Sequence, residues 1–518
     1  MTVAQNPVIR GMAPDPSLIR VGDWYYVATS SFEWFPTIPI HRSRDLAHWE
    51  YAGHVGGAVP GGSLAGVPDS GGIWAPALSW DGERFWVVYA IVRSLSTLYF
   101  DLEVYVTTAA DVAGPWSAPR RVVGHGFDPS LFHEDGRLWL LNVRNDHRPG
   151  GNRFDGIVLT ELDRGSLEPL GATRTIFRRP DPSPLLEGPK VMVRDGWYYL
   201  LLAECGTGFE HGVLVARSRA LEGPYEADSQ ALLTARDDSS QPLVKAGHGE
   251  LVQSPDGQWF LGHLASRALQ TPHGLRCTLG RETAIQAVAW DDADWPRLRH
   301  GGWHPAVEVE VPDVVAGTSP TVAEPGESLG WPWSSLRADP DRAWVDTTSR
   351  PGWIRLRGRH GPESLWDQSL IAQRLTEHRC TVEVTIDARP AAFTETAGLV
   401  LWYNTEAYFA LDLTCEGAET VLVLTTHVRD RTRREVVRPV PTGEPVTVGV
   451  RIDRSDAQFW LQDGERRIPL GPVLDFSELS DDAGTGLRFT GALAGIRASD
   501  LEAGKFWADF GGFQLATE

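Results

Sequence analysis

The chain is poor in cysteine, in positive charge and in long apolar runs, and each shortage excludes something. Its four cysteines, Cys205, Cys277, Cys380 and Cys415, are scattered with no CxxC pair. Neither a disulfide framework nor a zinc cluster is indicated, and free, mostly buried thiols are expected. Against 68 Asp plus Glu stand 48 Lys plus Arg, a net charge of -20. Such a surface repels phosphate backbones and anionic lipid, so no nucleic-acid and no membrane partner is expected. No run of about 18 apolar residues occurs, and Met1 to Gly11 lacks the basic cluster and apolar stretch of a secretion signal. The chain reads as a soluble protein of the cytoplasm. Helical periodicity is missing too: apolar residues nowhere recur convincingly at i, i+3, i+4 and i+7, so the protein is expected to be nearly all β.

Turn formers are plentiful. With 53 Gly, 36 Pro and 42% hydrophobic residues in 518, the composition is that of a folded, turn-rich protein rather than a disordered or collagenous one. The length asks for two domains, one of them large.

Five segments share one plan of loop, short apolar strand, Gly/Asp turn and aromatic-rich strand: MAPDPSLIRVGDWYYVATS, GIWAPALSWDGERFWVVYA, GFDPSLFHEDGRLWLLNVR, LEGPKVMVRDGWYYLLLAE and GHGELVQSPDGQWFLGHLA. Their turns begin at Gly22, Asp81, Asp135, Asp195 and Asp256, so the intervals are 59, 54, 60 and 61 residues. That period is too long for a solenoid unit and suits a four-stranded blade. Asp-Gly between β-branched and aromatic runs signals a hairpin, since a type I′ turn needs φ > 0 at both central residues. Later strand-like segments, LEVYVTTAA, GIVLTEL and GVLVARS, fit the outer part of each unit. The expected fold is a five-bladed β-propeller over residues 1–301, followed by a linker at 302–329 rich in Pro, Gly, Val and Glu. Residues 330–518 alternate in strands such as CTVEVTIDA, GLVLWYN and AQFWLQD, and are expected to form a β-sandwich of the jelly-roll, concanavalin-like kind.

In a propeller the innermost strands line one central channel, so equivalent positions of the repeats face the same hollow. Seven or eight residues ahead of the turns stand Asp15, Trp74, Asp128, Glu187 and His248. Each alone has a plain reading. Asp before Pro, as at Asp15 and Asp128, often bonds its own backbone in a turn; Glu187 alone could be a solvated loop residue, His248 a structural histidine and Trp74 core. Held in one register, however, three acids aimed at one channel would shift each other's ionisation, which is costly unless chemistry or a cation uses them. Two carboxyl groups across an aromatic-lined pocket suit hydrolysis of a glycosidic bond. One protonates the leaving oxygen, and the other activates water or attacks directly, according to their separation. Aromatic rings offer flat faces to the C–H side of a sugar.

With these residues in place, the chain resembles glycoside hydrolase family 43, in its β-xylosidase and α-L-arabinofuranosidase branch. The matching stretches are PDPSLIRVGDWYYVATSSFEWFP at 14–36, GIWAP at 72–76, GFDPSLF at 126–132, EGP at 187–189, KAGHG at 245–249 and LGRETAIQ at 279–286. In the sandwich they are AGLVLWYNTEAYFALDL, FTGALAG and ADFGGF. The resemblance implies an inverting exo-acting enzyme that releases terminal β-D-xylosyl or α-L-arabinofuranosyl residues from short oligosaccharides. Asp15 would be the general base, Glu187 the general acid, and Asp128 the residue that orients Glu187 and raises its pKa. Phe32 and Trp74 look like walls of the sugar subsite, and Arg281 resembles an arginine that bonds sugar hydroxyls, unless it pairs with Glu282 or another acid. Thr207 falls at a polar contact, and His248 at an axial histidine that in some relatives touches a calcium or a water. No cofactor is required by this reading; the resemblance leaves room for Ca2+ near His248, although the sequence does not show a full set of oxygen ligands for it. A homo-oligomer formed through the sandwich is compatible with the resemblance.

Three departures, Ala77, Asn145 and Lys190, stand where relatives usually carry His, Trp and His, and are expected to alter the pocket walls. The sandwich is expected to pack on the propeller, with Phe506 and Trp507 as candidates for the pocket rim or else as sandwich core. Two rivals are a retaining fructosidase, whose NDPNG and EC motifs are absent at the matching positions, and a non-catalytic sugar-binding propeller.

Overall fold

The continuous apolar run Phe85–Val92 explains how the blades are built. In a strand, successive side chains point to opposite faces. Phe85, Val87, Tyr89 and Ile91 pack against the first blade, while Trp86, Val88 and Ala90 pack against the third. A strand buried on both faces needs no polar alternation. The computed structural model describes residues 2–95, 99–152, 154–179, 185–313 and 329–518.

Five antiparallel sheets follow one another along the chain. Their innermost strands are Ser17–Val21, Ala77–Trp80, Ser130–Glu134, Leu186–Arg194 and Val244–Gln253, and each touches the next, the last touching the first. The ring is therefore a closed five-bladed propeller. Separate buried clusters fill each of the five gaps between blades. Closure is aided by Asn6, whose side-chain amide donates to the Ile285 carbonyl at 2.6 Å and accepts from its N–H at 2.9 Å, standing in for a strand partner at the edge of the fifth blade.

The turns differ in part from expectation. Asp135-Gly136 and Asp195-Gly196 have positive φ at both residues and close two-residue loops, as type I′ requires. At Gly22-Asp23 only the glycine is positive, at 60°, which is the type II′ pattern. Asp81 and Asp256 begin or lie in longer loops, where the Asp81 carboxylate caps the N–H groups of Glu83 and Arg84.

Residues 302–329 are not all connector. Strand Glu308–Val311 pairs with Thr2–Gln5 beside the fifth blade, and the expected linker between 314 and 328 lies outside the described residues. From Ser334 onward two sheets of eight and seven strands pack on a shared apolar core, a β-sandwich. The eight-stranded sheet ends on a piece of the propeller: Trp34–Phe35, from the first blade, pairs with Ser334–Leu336. One hydrogen-bonded sheet thus crosses from one half of the molecule to the other. The only helical turn among the described residues is Phe476–Glu478, and no helix is long and apolar enough to cross a membrane. The four cysteines are free, with Cys277 and Cys380 buried.

Candidate active site

One cavity of about 270 Å³ opens at the end of the propeller axis, and all eight residues singled out in the sequence line it: Asp15, Phe32, Trp74, Asp128, Glu187, Thr207, His248 and Arg281. The register argument explains the convergence. Asp15, Trp74 and Asp128 stand two or three residues ahead of their innermost strands, while Glu187 and His248 sit inside theirs at irregular pairings.

Their backbone is unusual. Asp15, Asp128 and His248 have φ of 55°, 51° and 49°, and Phe32 has φ of 51°. Left-handed backbone is uncommon outside glycine and costly for a bulky residue; it clusters where a site needs it. Phe32 is held there by reciprocal backbone hydrogen bonds with Ile73, at 2.9 and 3.0 Å.

Neither aspartate acts as a turn former through its side chain. Asp15 accepts from the Arg281 guanidinium at 2.8 Å and from the Ser30 hydroxyl at 2.6 Å. Asp128 accepts from the backbone N–H of Gly188 at 3.0 Å, directly after Glu187. Gly188 has φ of 60°, and a Cβ there would stand 3.0 Å from the His248 ring, so the acid is followed by a residue with no side chain. Arg281 also donates to Thr207 at 2.9 Å and to the Phe489 carbonyl at 3.2 Å. Its partner is Asp15 and not Glu282, which pairs with Arg267.

Burial and charge drive these groups apart. Burial alone would raise the pKa of Asp15, but the Arg281 cation and the Ser30 hydrogen bond outweigh it and hold the carboxyl below its ordinary value. Glu187 makes no such pair. Burial, then the nearby Asp15 charge, push it up to about 7. Asp128 is raised well above the usual carboxylate range by burial, then by Glu187 and Asp15. His248 is pushed down to about 4 by burial, so at neutral pH it faces Asp15, 3.8 Å away, as a neutral ring. Adjacent carboxyls tuned in opposite directions are the arrangement that assigns one to give a proton and one to take it.

Several wall residues escaped the sequence reading. Phe100, Phe127 and Phe154 add rings from the second and third blades, and His211 adds a buried imidazole. Phe489 comes from the sandwich, its ring 5.8 Å from Phe32 and 5.5 Å from Trp74. Its signal was present in FTGALAG, whose first residue it is. Phe506 and Trp507 do not reach the rim: Phe506 is in the sandwich core, and Trp507 opens the strand Trp507–Thr517, an inner strand of the seven-stranded sheet, and is not among the cavity walls. Of the three departures only Asn145 is a wall. Ala77 is buried between the second and third blades, where a larger ring would have to displace the core. Lys190 lies one step further down the channel, its ammonium 3.3 Å from the Ser17 hydroxyl and 3.6 Å from the Glu250 carboxylate. Among the described residues no set of metal ligands gathers at His248; the one group with suitable spacing is His273, Asp475 and Glu478, away from the cavity.

Residues 4–296 match Glycosyl hydrolases family 43, and residues 325–516 match the Beta xylosidase C-terminal Concanavalin A-like domain. This chain belongs to glycosyl hydrolases family 43. It is 40% identical to xylosidase/arabinosidase 43B of Humicola insolens, over 97% of this chain and 95% of that protein. It is 36% identical to a xylan 1,3-beta-xylosidase of a Vibrio species, over 99% of both chains. Among solved structures, xylan beta-1,4-xylosidase from Bacillus halodurans superposes with a TM-score of 0.93 at 39% identity, over 99% of this chain and 100% of that one. A family 43 glycosidase therefore carries these carboxyl groups, and the likeness runs through both propeller and sandwich.

Proposed function

We propose that the chain is an inverting exo-glycosidase that removes single terminal β-D-xylosyl or α-L-arabinofuranosyl residues from short oligosaccharides. The observation that carries this reading is the pair Asp15 and Glu187, tuned in opposite directions within one aromatic-walled cavity. A water is deprotonated by Asp15 as its oxygen attacks the anomeric carbon. The bond to the leaving oxygen breaks on the opposite face, and Glu187 delivers its proton to that oxygen. Asp128 holds the segment that carries Glu187 through the Gly188 N–H, while burial and the Asp15 charge, rather than Asp128, which is itself raised, keep the acid protonated. Phe32, Trp74 and Phe489 enclose the sugar ring. Arg281 and Thr207 line the cavity and supply polar contacts to sugar hydroxyls. A cavity of about 270 Å³ has room for one sugar rather than a chain running through, which supports exo attack. The names of the relatives cover both sugars, and Asn145 is the wall residue through which preference between them would act.

The reading is tested by the anomer first released from an aryl β-D-xyloside, followed by proton NMR. Inversion yields α-D-xylose before mutarotation; β-D-xylose first would indicate a retaining enzyme such as the fructosidase type. Binding of xylo-oligosaccharide without turnover of xyloside or arabinofuranoside would indicate a non-catalytic propeller.

The pH dependence follows from the two directions. A base must be ionised, so the lowered pKa of Asp15 places the acid limb of kcat/KM below the ordinary carboxylate range. An acid must be protonated, so activity falls as pH rises through the value near 7 of Glu187. The profile should be a plateau through mildly acidic pH with loss above neutrality, its limbs belonging to the coupled set rather than to single residues. A plateau extending well into alkaline pH would contradict the assignment of the acid.

A further inference from the structure

Ser70 touches no catalytic group, yet it is bonded to the two walls that come from different halves of the molecule. It is buried, with φ of 62°. Its carbonyl accepts the indole N–H of Trp74 at 2.8 Å. Its hydroxyl accepts the backbone N–H of Phe489, from the sandwich, at 3.0 Å. Its own N–H donates to the carboxylate of Glu33 at 3.1 Å, the residue that follows the wall residue Phe32. The preceding residue fastens the same loop to the sandwich: Asp69 pairs with Arg337 at 2.5 Å and accepts the Thr405 N–H at 3.0 Å.

We propose that Ser70 is a positioning residue for the sugar subsite, and that its hydroxyl sets how far the Phe489 ring stands from Phe32 and Trp74. The inference rests on the reading above that this cavity holds the terminal sugar. Without the hydroxyl the Phe489 N–H loses its partner on the propeller, and the backbone there keeps only the longer bond from Arg281 to the Phe489 carbonyl. The sandwich keeps its remote contacts, but the ring that closes the cavity is no longer held against the other two. Since the ring grips the sugar in both ground and transition states, its release should weaken binding more than it slows chemistry.

The test is Ser70→Gly, which removes the hydroxyl at a backbone conformation that glycine accepts without strain. Ser70→Ala serves as a second variant should that one fold poorly. The expected result is a rise in KM for an aryl glycoside of about tenfold, with kcat within about threefold and an equal rise in the dissociation constant of D-xylose by calorimetry. A purely structural role would lower the melting temperature and the active fraction and leave KM alone. In a Phe489→Ala background the same replacement should change KM less than about twofold, because the ring it positions is gone. A KM and xylose affinity within about twofold of the unmodified protein in both variants, or full additivity with Phe489→Ala, would overturn the proposal. Xylose titration needs no turnover. A protein that binds xylose but hydrolyses nothing therefore fails the reading of the reaction, while the position of the wall can still be measured.

Discussion

Glu187→Ala is expected to lower kcat by about 10³-fold on a glycoside with a poor leaving group, and far less on a nitrophenyl glycoside. The reason is the fate of the leaving oxygen. A nitrophenolate departs as a stable anion and needs little protonation, whereas a sugar or alkyl oxygen must receive a proton as its bond breaks. In the proposed reaction Glu187 supplies that proton, and burial and the Asp15 charge keep it protonated up to about pH 7. The same variant should lose the alkaline limb of the pH profile on the activated substrate, since the group that titrated there is gone. Near-normal turnover of the poor substrate would show that another residue is the acid.

Asp15→Asn is expected to cost about 10³ to 10⁴-fold in kcat on both kinds of substrate alike, because water must be activated whatever leaves. The amide oxygen can still accept from Arg281 while the amide NH2 donates to the Ser30 hydroxyl oxygen, so the pocket should stay in shape, but the amide cannot take the proton of water. A second effect distinguishes this variant. The Asp15 charge is one cause of the raised pKa of Glu187. Its removal should therefore shift the residual alkaline limb toward lower pH. An unchanged limb would show that burial alone holds Glu187, and equal loss on only one substrate class would show that Asp15 does not activate the water.

Much of the architecture and most of the site could be read from the letters, for local reasons. Hairpin turns and two-sided apolar strands are written in short stretches, and the interval of 54 to 61 residues between turns counts off the blades. Because innermost strands share one axis, a register position in the repeat is also a position in space. Asp15, Trp74, Asp128, Glu187 and His248 are therefore grouped across 233 residues of chain (248 minus 15) by their register in the repeat alone.

Ala77 shows where that reasoning stops. Ala75, in the loop ahead of the strand, lines the cavity, but at Ala77, where the strand Ala77–Trp80 begins, the side chain lies in the gap between blades, so nearness to a motif does not make a wall. Phe506 and Trp507 are large and aromatic, yet neither is a wall of the cavity. Which ring reaches the rim depends instead on how the sandwich is seated, and the seating is decided by the pairing of Trp34–Phe35 with Ser334–Leu336.

The sequence by itself determined the repeat, the blade count, the second all-β half and the acidic trio, since each rests on patterns no longer than a few turns of chain. Only the tertiary structure decided that Arg281 meets Asp15 across 266 residues, that Phe489 closes the cavity, and that two neighbouring carboxyls differ in proton affinity. Those are properties of distance and burial between remote segments, and a pKa is set by what surrounds a group rather than by what precedes it in the chain.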